Sequence, residues 1–141
     1  MKIRKEVKMQ HSFERKLCNA SRNVMSLIFA KACSFNSEIA EWDVSSVADM
    51  NHVFSDAKFF NHDLLKWDVS TLTSMIGTFD GALFFQGNIS NWNVSRVNNM
   101  RSLFRSAAAF NGDISKWDVS SVRNMNSMFS GATLFNGDIS T

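Results

Sequence analysis

The sequence predicts an α/β solenoid of about five coils, with short parallel strands on one face and short helices on the other. Three observations support this. The tryptophans recur every 25 residues, at Trp42, Trp67, Trp92 and Trp117. A methionine column and two phenylalanine columns keep the same period, and no insertion interrupts it from Leu17 to Thr141. A fixed period of this length is typical of repeat architectures, in which each repeat contacts only its neighbours.

The first element of each repeat is predicted to be a short parallel strand. In the fourth repeat, apolar residues stand at the first, fourth and sixth positions of the segment 114–119, as Ile114, Trp117 and Val119. This pattern matches the opening of a leucine-rich repeat, whose middle forms a strand.

A short amphipathic helix is predicted to follow the strand. Apolar residues fall at 122, 125, 128, 129 and 132, which is the spacing of one helical face. Ser120 precedes this run and can act as the N-cap. A helix of this length is marginal alone, so stacking between coils must stabilise it.

A turn is predicted between the helix and the next strand. The segment 110–113 reads Phe-Asn-Gly-Asp. Its phenylalanine can fill the core, and Asn-Gly favours a turn. The repeated asparagines can also bond to the backbone of the neighbouring coil. We therefore interpret the Asn and Asp columns first as structural.

Composition predicts one small repeat domain over residues 17–141, preceded by a basic lead or cap over residues 1–16. The lead carries six Lys/Arg and two Asp/Glu, a net of +4, and the remainder carries nine basic and eleven acidic residues, a net of −2. The repeat body is therefore not expected to bind nucleic acid. No apolar run approaches the ~20 residues of a membrane span, and no signal peptide is visible.

Catalytic motifs are missing from the sequence. His11, His52 and His62 do not repeat, and there is no zinc-ligand spacing, P-loop or G-x-S-x-G sequence. The protein is therefore predicted not to be an enzyme and to need no cofactor. Cys18 and Cys33 can pair with each other or remain free buried thiols, and we favour free thiols.

Calcium binding is the less favoured alternative. One column of oxygen-bearing side chains contains Asp43, Asp68, Asn93 and Asp118, and a second contains Glu38, Asp63, Asn88, Asp113 and Asp138. Hard cations bind such oxygens. However, Lys66 and Lys116 stand two residues before Asp68 and Asp118, and we expect them to offset the carboxylate repulsion locally. No metal site is therefore predicted.

The segment 110–129 resembles the BspA-like leucine-rich-repeat family of surface proteins, whose members are often described only as domains of unknown function. The segment reads Phe-Asn-Gly-Asp-Ile-Ser-Lys-Trp-Asp-Val-Ser-Ser-Val-Arg-Asn-Met-Asn-Ser-Met-Phe. The resemblance covers residues 17–141 and weakens before Phe35. It implies a location at the cell surface or outside the cell, and a role in adhesion to a protein or extracellular-matrix ligand. It implies no catalytic residues.

The predicted contact surface is the outward side of the strands, where side chains vary from coil to coil. We call it the variable face; its residues are Glu41, Asp43, Lys66, Asp68, Asn91, Asn93, Arg96, Lys116 and Asp118. Variation on a constant framework can encode partner choice. The predicted function is a non-enzymatic protein-binding or adhesion module. The alternative is a structural spacer or a self-assembling array without a specific ligand.

The C-terminal coil is expected to expose an apolar end formed by Met128, Phe129, Phe135 and Ile139. Repeat arrays usually need a polar cap for solubility. We expect this end to be covered by further repeats or to associate end to end with another copy.

Overall fold

A computed structural model describes residues 25–139, which form successive coils stacked with the 25-residue period of the sequence. Repeat-equivalent residues lie beside one another in neighbouring coils. The predicted basic lead at 1–16, together with His11 and Cys18, lies outside the described residues.

The prediction of an α/β solenoid is wrong. Residues 25–139 contain no α-helix and no β-strand. The β-bridges within this range are isolated parallel bridges between neighbouring coils, which join Asp49 to Ser74, Ser74 to Asn99, and Asn99 to Asn124.

A run of tight turns occupies the position of each predicted helix; we call it the turn segment, residues 50–57 and their equivalents in the other coils. Within it, Val53, Ser55 and Ala57 donate their N–H groups to carbonyls three residues earlier. The alternate N–H groups, from Met50 to Asp56, donate to carbonyls of the next coil, 24 residues later. An α-helix would need every amide for its own i−4 carbonyl, so the bonds between coils exclude it.

Left-handed backbone at two positions of the turn segment also excludes a helix. His52 has φ of 56° and Asp56 has φ of 57°. In other coils glycine occupies these positions, as Gly77 with φ of 55° and Gly81 with φ of 70°. Non-glycine residues adopt this conformation at a cost of roughly 1–2 kcal/mol per residue. The bonds between coils must therefore offset it.

Replacing Ser106 with glycine is expected to raise the free energy of unfolding by up to about 1 kcal/mol. Ser106 is exposed and has φ of 57°, and its equivalents include Gly81 and Gly131. The matched control is Ser121→Gly, at an exposed position without positive φ, which should instead be destabilising. Urea denaturation measures both; a loss of stability in the Ser106 variant would contradict the expected relief of strain.

The segment predicted to be a strand is also made of turns. Trp117 donates its N–H to the carbonyl of Ile114 over 3.0 Å, and Val122 donates to Val119 over 2.9 Å. The same two turns occur in the three preceding coils. A strand would direct these groups to neighbouring chains instead, so the apolar spacing here reflects burial and not strand geometry.

The core is a set of stacked aromatic ladders. Phe54, Phe79 and Phe104 lie 5.4 and 5.6 Å apart between ring centroids, and each stacks on a second phenylalanine of its own coil at about 4 Å. Trp67, Trp92 and Trp117 form a third ladder with 6.4 Å steps. These rings are buried, as their repetition predicts.

The last described coil exposes only part of the predicted apolar end. Ile139 is 63% exposed, but Met128 is buried, and Phe129 and Phe135 are half-buried. An apolar pocket at this end is lined by Trp117, Met125 and Ile139, among others. Association through it stays a prediction.

Candidate binding face

All nine residues of the variable face are exposed. Each stands beside a residue that belongs to the core: Trp92 and Val94, for example, are buried between Asn91, Asn93 and Arg96. The alternation places the variable side chains in solvent while the repeated ones stack. The coils thus present exposed side chains that differ from coil to coil at three repeat positions, while the buried residues between them repeat.

The oxygen column of Asp43, Asp68, Asn93 and Asp118 has a structural role within each coil. Asp43 accepts the backbone N–H of Ser45 at 3.0 Å and the Ser45 hydroxyl at 2.7 Å. Asn93 accepts the same two bonds from Ser95. These are Asx turns, in which a side-chain oxygen bonds to the backbone two residues on. The serine predicted to cap a helix instead closes such a turn.

These turns favour the ionised form of their carboxylates. The hydroxyl and backbone N–H of Ser45 lower the pKa of Asp43 below its ordinary value of 3.8. The pKa values of Asp68 and Asp118 are lowered by Ser70 and Ser120 in the same way. Because the folded-state pKa is depressed, the associated stability is present above the ordinary pKa and is lost as the pH falls through the folded value.

Replacing Ser45 with alanine is expected to raise the pKa of Asp43 toward its ordinary value, because the largest cause of its depression is the serine hydroxyl. A carboxyl NMR titration measures the change. Ser95→Ala is the matched control, since it removes the same hydroxyl bond from an asparagine that does not titrate. An unchanged pKa of Asp43 in the Ser45 variant would show that the hydroxyl does not stabilise the carboxylate.

The prediction that Lys66 offsets the carboxylate repulsion at Asp68 is wrong. Lys66 instead donates to the carboxylate of Glu41 in the preceding coil, and this bond raises the pKa of Lys66. Asp68 is left facing the like charge of Asp43, which opposes the lowering of its pKa. Lys116 likewise acts on Asp113, whose pKa it helps to lower. Lys66 therefore bridges two coils, whereas Lys116 acts on a carboxylate of its own coil.

Four residues of the variable face line one surface depression. Asn91, Asn93, Lys116 and Asp118 line it together with Ser90, Trp92 and Val94. Lys66 and Asp68 lie one coil away along the stack, Glu41 and Asp43 lie two coils away, and Arg96 is exposed outside the depression. The structure thus gathers the predicted residues of the third and fourth coils.

Metal-binding clusters are not found in the part of the chain that the structure describes. No three His, Cys, Asp or Glu side chains between residues 25 and 139 are grouped closely enough to hold an ion.

Cys33 is exposed and free, so the prediction that it is buried is wrong. His62, half-buried, lies with its Nε2 3.1 Å from the carbonyl oxygen of Asn36.

The asparagine column bonds between coils, as its repetition suggests. The Asn36 side chain accepts the backbone N–H of Asn61 at 3.0 Å, and Asn61 accepts that of Gln86 at 2.7 Å. These side chains are exposed and not buried.

Among residues 25–139, no helix is long and apolar enough to cross a membrane.

Two features of the surface escaped the sequence analysis. Arg105 forms a bidentate ion pair with Asp80 across one coil boundary, with contacts of 2.6–3.1 Å. Phe59 and Phe84 are 55% and 51% exposed and stack on each other. The two members of each pair are 25 residues apart, and this offset is the sequence signal that could have identified them.

Comparison with known proteins gives a family match. The sequence profile of a family described as "Mycoplasma protein of unknown function, DUF285" matches residues 7–90 and 63–141. No curated protein and no solved structure matches the chain. The profile match agrees with a repeat family of unknown function, and it does not confirm the more specific resemblance to BspA-like leucine-rich-repeat proteins.

Proposed function

The chain belongs to the DUF285 family, and we propose that it is a non-enzymatic binding module that adheres to a protein or extracellular-matrix ligand through the variable face. The location we propose is the cell surface or the extracellular space.

The observation that carries this proposal is the separation of constant and varying residues. The repeated aromatic residues are buried in the ladders, where each stacks on its equivalent in the next coil. The variable face is exposed and changes charge from coil to coil. Stacking between coils explains the repeated aromatic residues, and Asx turns explain the side-chain oxygens at positions 43, 68, 93 and 118. Neither explains why the charge of the exposed residues changes from coil to coil. Recognition of a partner accounts for that variation.

Charge divides the variable face into two halves. Its first four residues, Glu41 to Asp68, carry a net charge of −2, and the remaining five, Asn91 to Asp118, carry a net charge of +1. The surface depression lies in the positive half, with Lys116 on its rim. Lys66, the cation of the negative half, already binds Glu41. We therefore propose that Arg96 and Lys116 contact acidic groups of the partner.

The test is solid-phase binding of the purified chain to immobilised fibronectin, laminin and collagen. The variant Arg96→Glu/Lys116→Glu should lose at least about tenfold in affinity, since rim charges govern steering and register. The control Lys58→Glu/Arg101→Glu makes the same change in net charge at exposed residues outside the variable face. Both variants should melt like the parent, because exposed charges contribute little to stability.

Three outcomes would contradict the proposal. If both variants lose binding equally, net charge and not the variable face governs attachment. If neither loses it, another surface is used. If none of the three ligands is bound while light scattering shows concentration-dependent growth, the chain is a self-assembling array. Loss of binding together with a lower melting temperature in EDTA would favour the calcium alternative, since an ion bound only by the native state stabilises it.

A further inference from the structure

One position of the variable face changes between acid, base and amide along the stack. It holds Glu41 in the first coil, Lys66 in the second, Asn91 in the third and Lys116 in the fourth. Lys66 donates to the carboxylate of Glu41 across a coil boundary, so side chains at this position in adjacent coils can reach each other. Lys116 has Asn91 at the corresponding place, and that side chain supplies no carboxylate.

Lys116 is a cation that no carboxylate of the described chain binds directly. Neither of the ion pairs among residues 25–139 includes it. Its charge lowers the pKa of Asp113 in its own coil, but the two side chains form no ion pair. Lys116 lines the surface depression together with Asn91, whose amide N–H groups can donate to a carboxylate. An acid placed over Asn91 would therefore meet two hydrogen-bond donors.

The position two residues later in each coil carries acids. It holds Asp43, Asp68 and Asp118, but the third coil has Asn93 there. The like charge of Asp43 acts on Asp68 across a coil boundary, where it opposes the lowering of the Asp68 pKa. Charges at this position are thus felt one coil away. Asn93 adds no charge of its own and stands between the carboxylates of Asp68 and Asp118.

We propose that the depression at the third coil binds a partner polypeptide that presents one acidic and one basic side chain two residues apart. The acid lies over Asn91 and binds Lys116. The base lies over Asn93 and is attracted by the carboxylates of Asp68 and Asp118. The site belongs to the variable face, so the proposal rests on the proposed function and names the chemistry that is recognised there.

An extended partner segment matches this spacing. Buried Trp92 separates Asn91 from Asn93, and both asparagines are exposed on the outer side of the coil. Side chains two residues apart in an extended segment also share one side, at a spacing of about 6.5–7 Å along the chain. A partner with acids alone would place a like charge beside Asp118, and one with bases alone would place a like charge beside Lys116. Such repulsion selects the mixed pair.

The test is an NMR titration with a blocked sixteen-residue peptide that repeats Glu-Thr-Lys-Thr, followed at the side-chain amides of Asn91 and Asn93. Threonine at alternate positions favours an extended chain. We expect saturable shifts at both amides. Peptides that repeat Glu-Thr-Gln-Thr or Gln-Thr-Lys-Thr keep the acid or the base alone. Each should bind at least about threefold more weakly, because one exposed ion pair is lost.

The variant Asn91→Glu supplies the acid from within the chain, as Glu41 does for Lys66. It should bind the mixed peptide at least about threefold more weakly than the parent, because the place of the partner's acid is taken. Its fold should be unaffected, since glutamate already holds this position in the first coil. The matched control is Asn98→Glu, the same change at an exposed residue outside the variable face, which should bind like the parent.

Absence of saturable shifts at Asn91, equal binding of the three peptides, or undiminished binding by Asn91→Glu would each overturn the proposal. Fibronectin, laminin and collagen separate its failure from that of the proposed function. A chain that binds the mixed peptide but none of these ligands contradicts matrix adhesion and supports the site. A chain whose attachment to one of them survives Asn91→Glu supports adhesion and contradicts the site.

Discussion

Replacing Trp92 with alanine is expected to lower the free energy of unfolding by about 3–5 kcal/mol, the range for truncating a buried aromatic residue. Trp92 is 3% exposed and lies in the middle of the tryptophan ladder, 6.4 Å from both Trp67 and Trp117. Its indole Nε1 also donates to the carbonyl of Leu64 at 2.9 Å. The substitution removes contacts at two coil boundaries and one of the two hydrogen bonds to that carbonyl, which also accepts the backbone N–H of Trp67.

Urea denaturation followed by circular dichroism measures this loss. The matched control is Phe84→Ala, which truncates an aromatic ring that is 51% exposed and should cost less than about 1 kcal/mol. Equal stability losses in the two variants would contradict the assignment of the tryptophan ladder as the centre of the core. A Trp92 variant as stable as the parent would indicate instead that the indole serves a ligand.

Replacing Arg105 with serine is expected to cost about 2 kcal/mol, because it leaves the carboxylate of Asp80 without its charged partner. The Asp80 side chain is 11% exposed, and Arg105 contacts both of its oxygens. The pKa of Arg105 is raised above its ordinary value, first by the hydrogen bond to Asp80 and then by the charge of Asp80. The charge of Asp56 also attracts this guanidinium and raises its pKa further. Without Arg105, the carboxylates of Asp80 and Asp56 in adjacent coils would lose the cation that attracts both.

The double variant Asp80→Ser/Arg105→Ser should recover most of this loss. Serine occupies the equivalent positions Ser55 and Ser130, so the double variant gives this column the same residue in four coils. Thermal melting compares the single and double variants. If the double variant is less stable than Arg105→Ser alone, the ion pair contributes net stability and the unpaired carboxylate is not the source of the cost.

The sequence by itself determined which residues are buried and how the repeats align. The 25-residue period and the aromatic columns predicted a stacked core, and the structure buries Phe54, Phe79 and Trp92 in continuous ladders. The exposure of all nine residues of the variable face also follows from their alternation with core residues. Buried positions can be predicted from the sequence because folding removes apolar side chains from water whatever path the backbone takes.

Only the tertiary structure decided the path of the backbone. The spacing of Met50, Val53, Phe54 and Ala57 fits one face of a helix and equally fits the turn segment, which buries the same residues. What selects the turns is a set of bonds from alternate amides to carbonyls 24 residues later. Local periodicity carries no information about them.

The left-handed positions were also difficult to predict, although Gly77, Gly81 and Gly131 mark some of them. His52, Asp56 and Ser102 adopt the same conformation without glycine's freedom, because the neighbouring coils hold the backbone there. The partner of Lys66 depends likewise on which side chains the stacking places one coil apart. Backbone hydrogen bonding between distant residues fixes both, since a buried amide must find an acceptor wherever the fold supplies one.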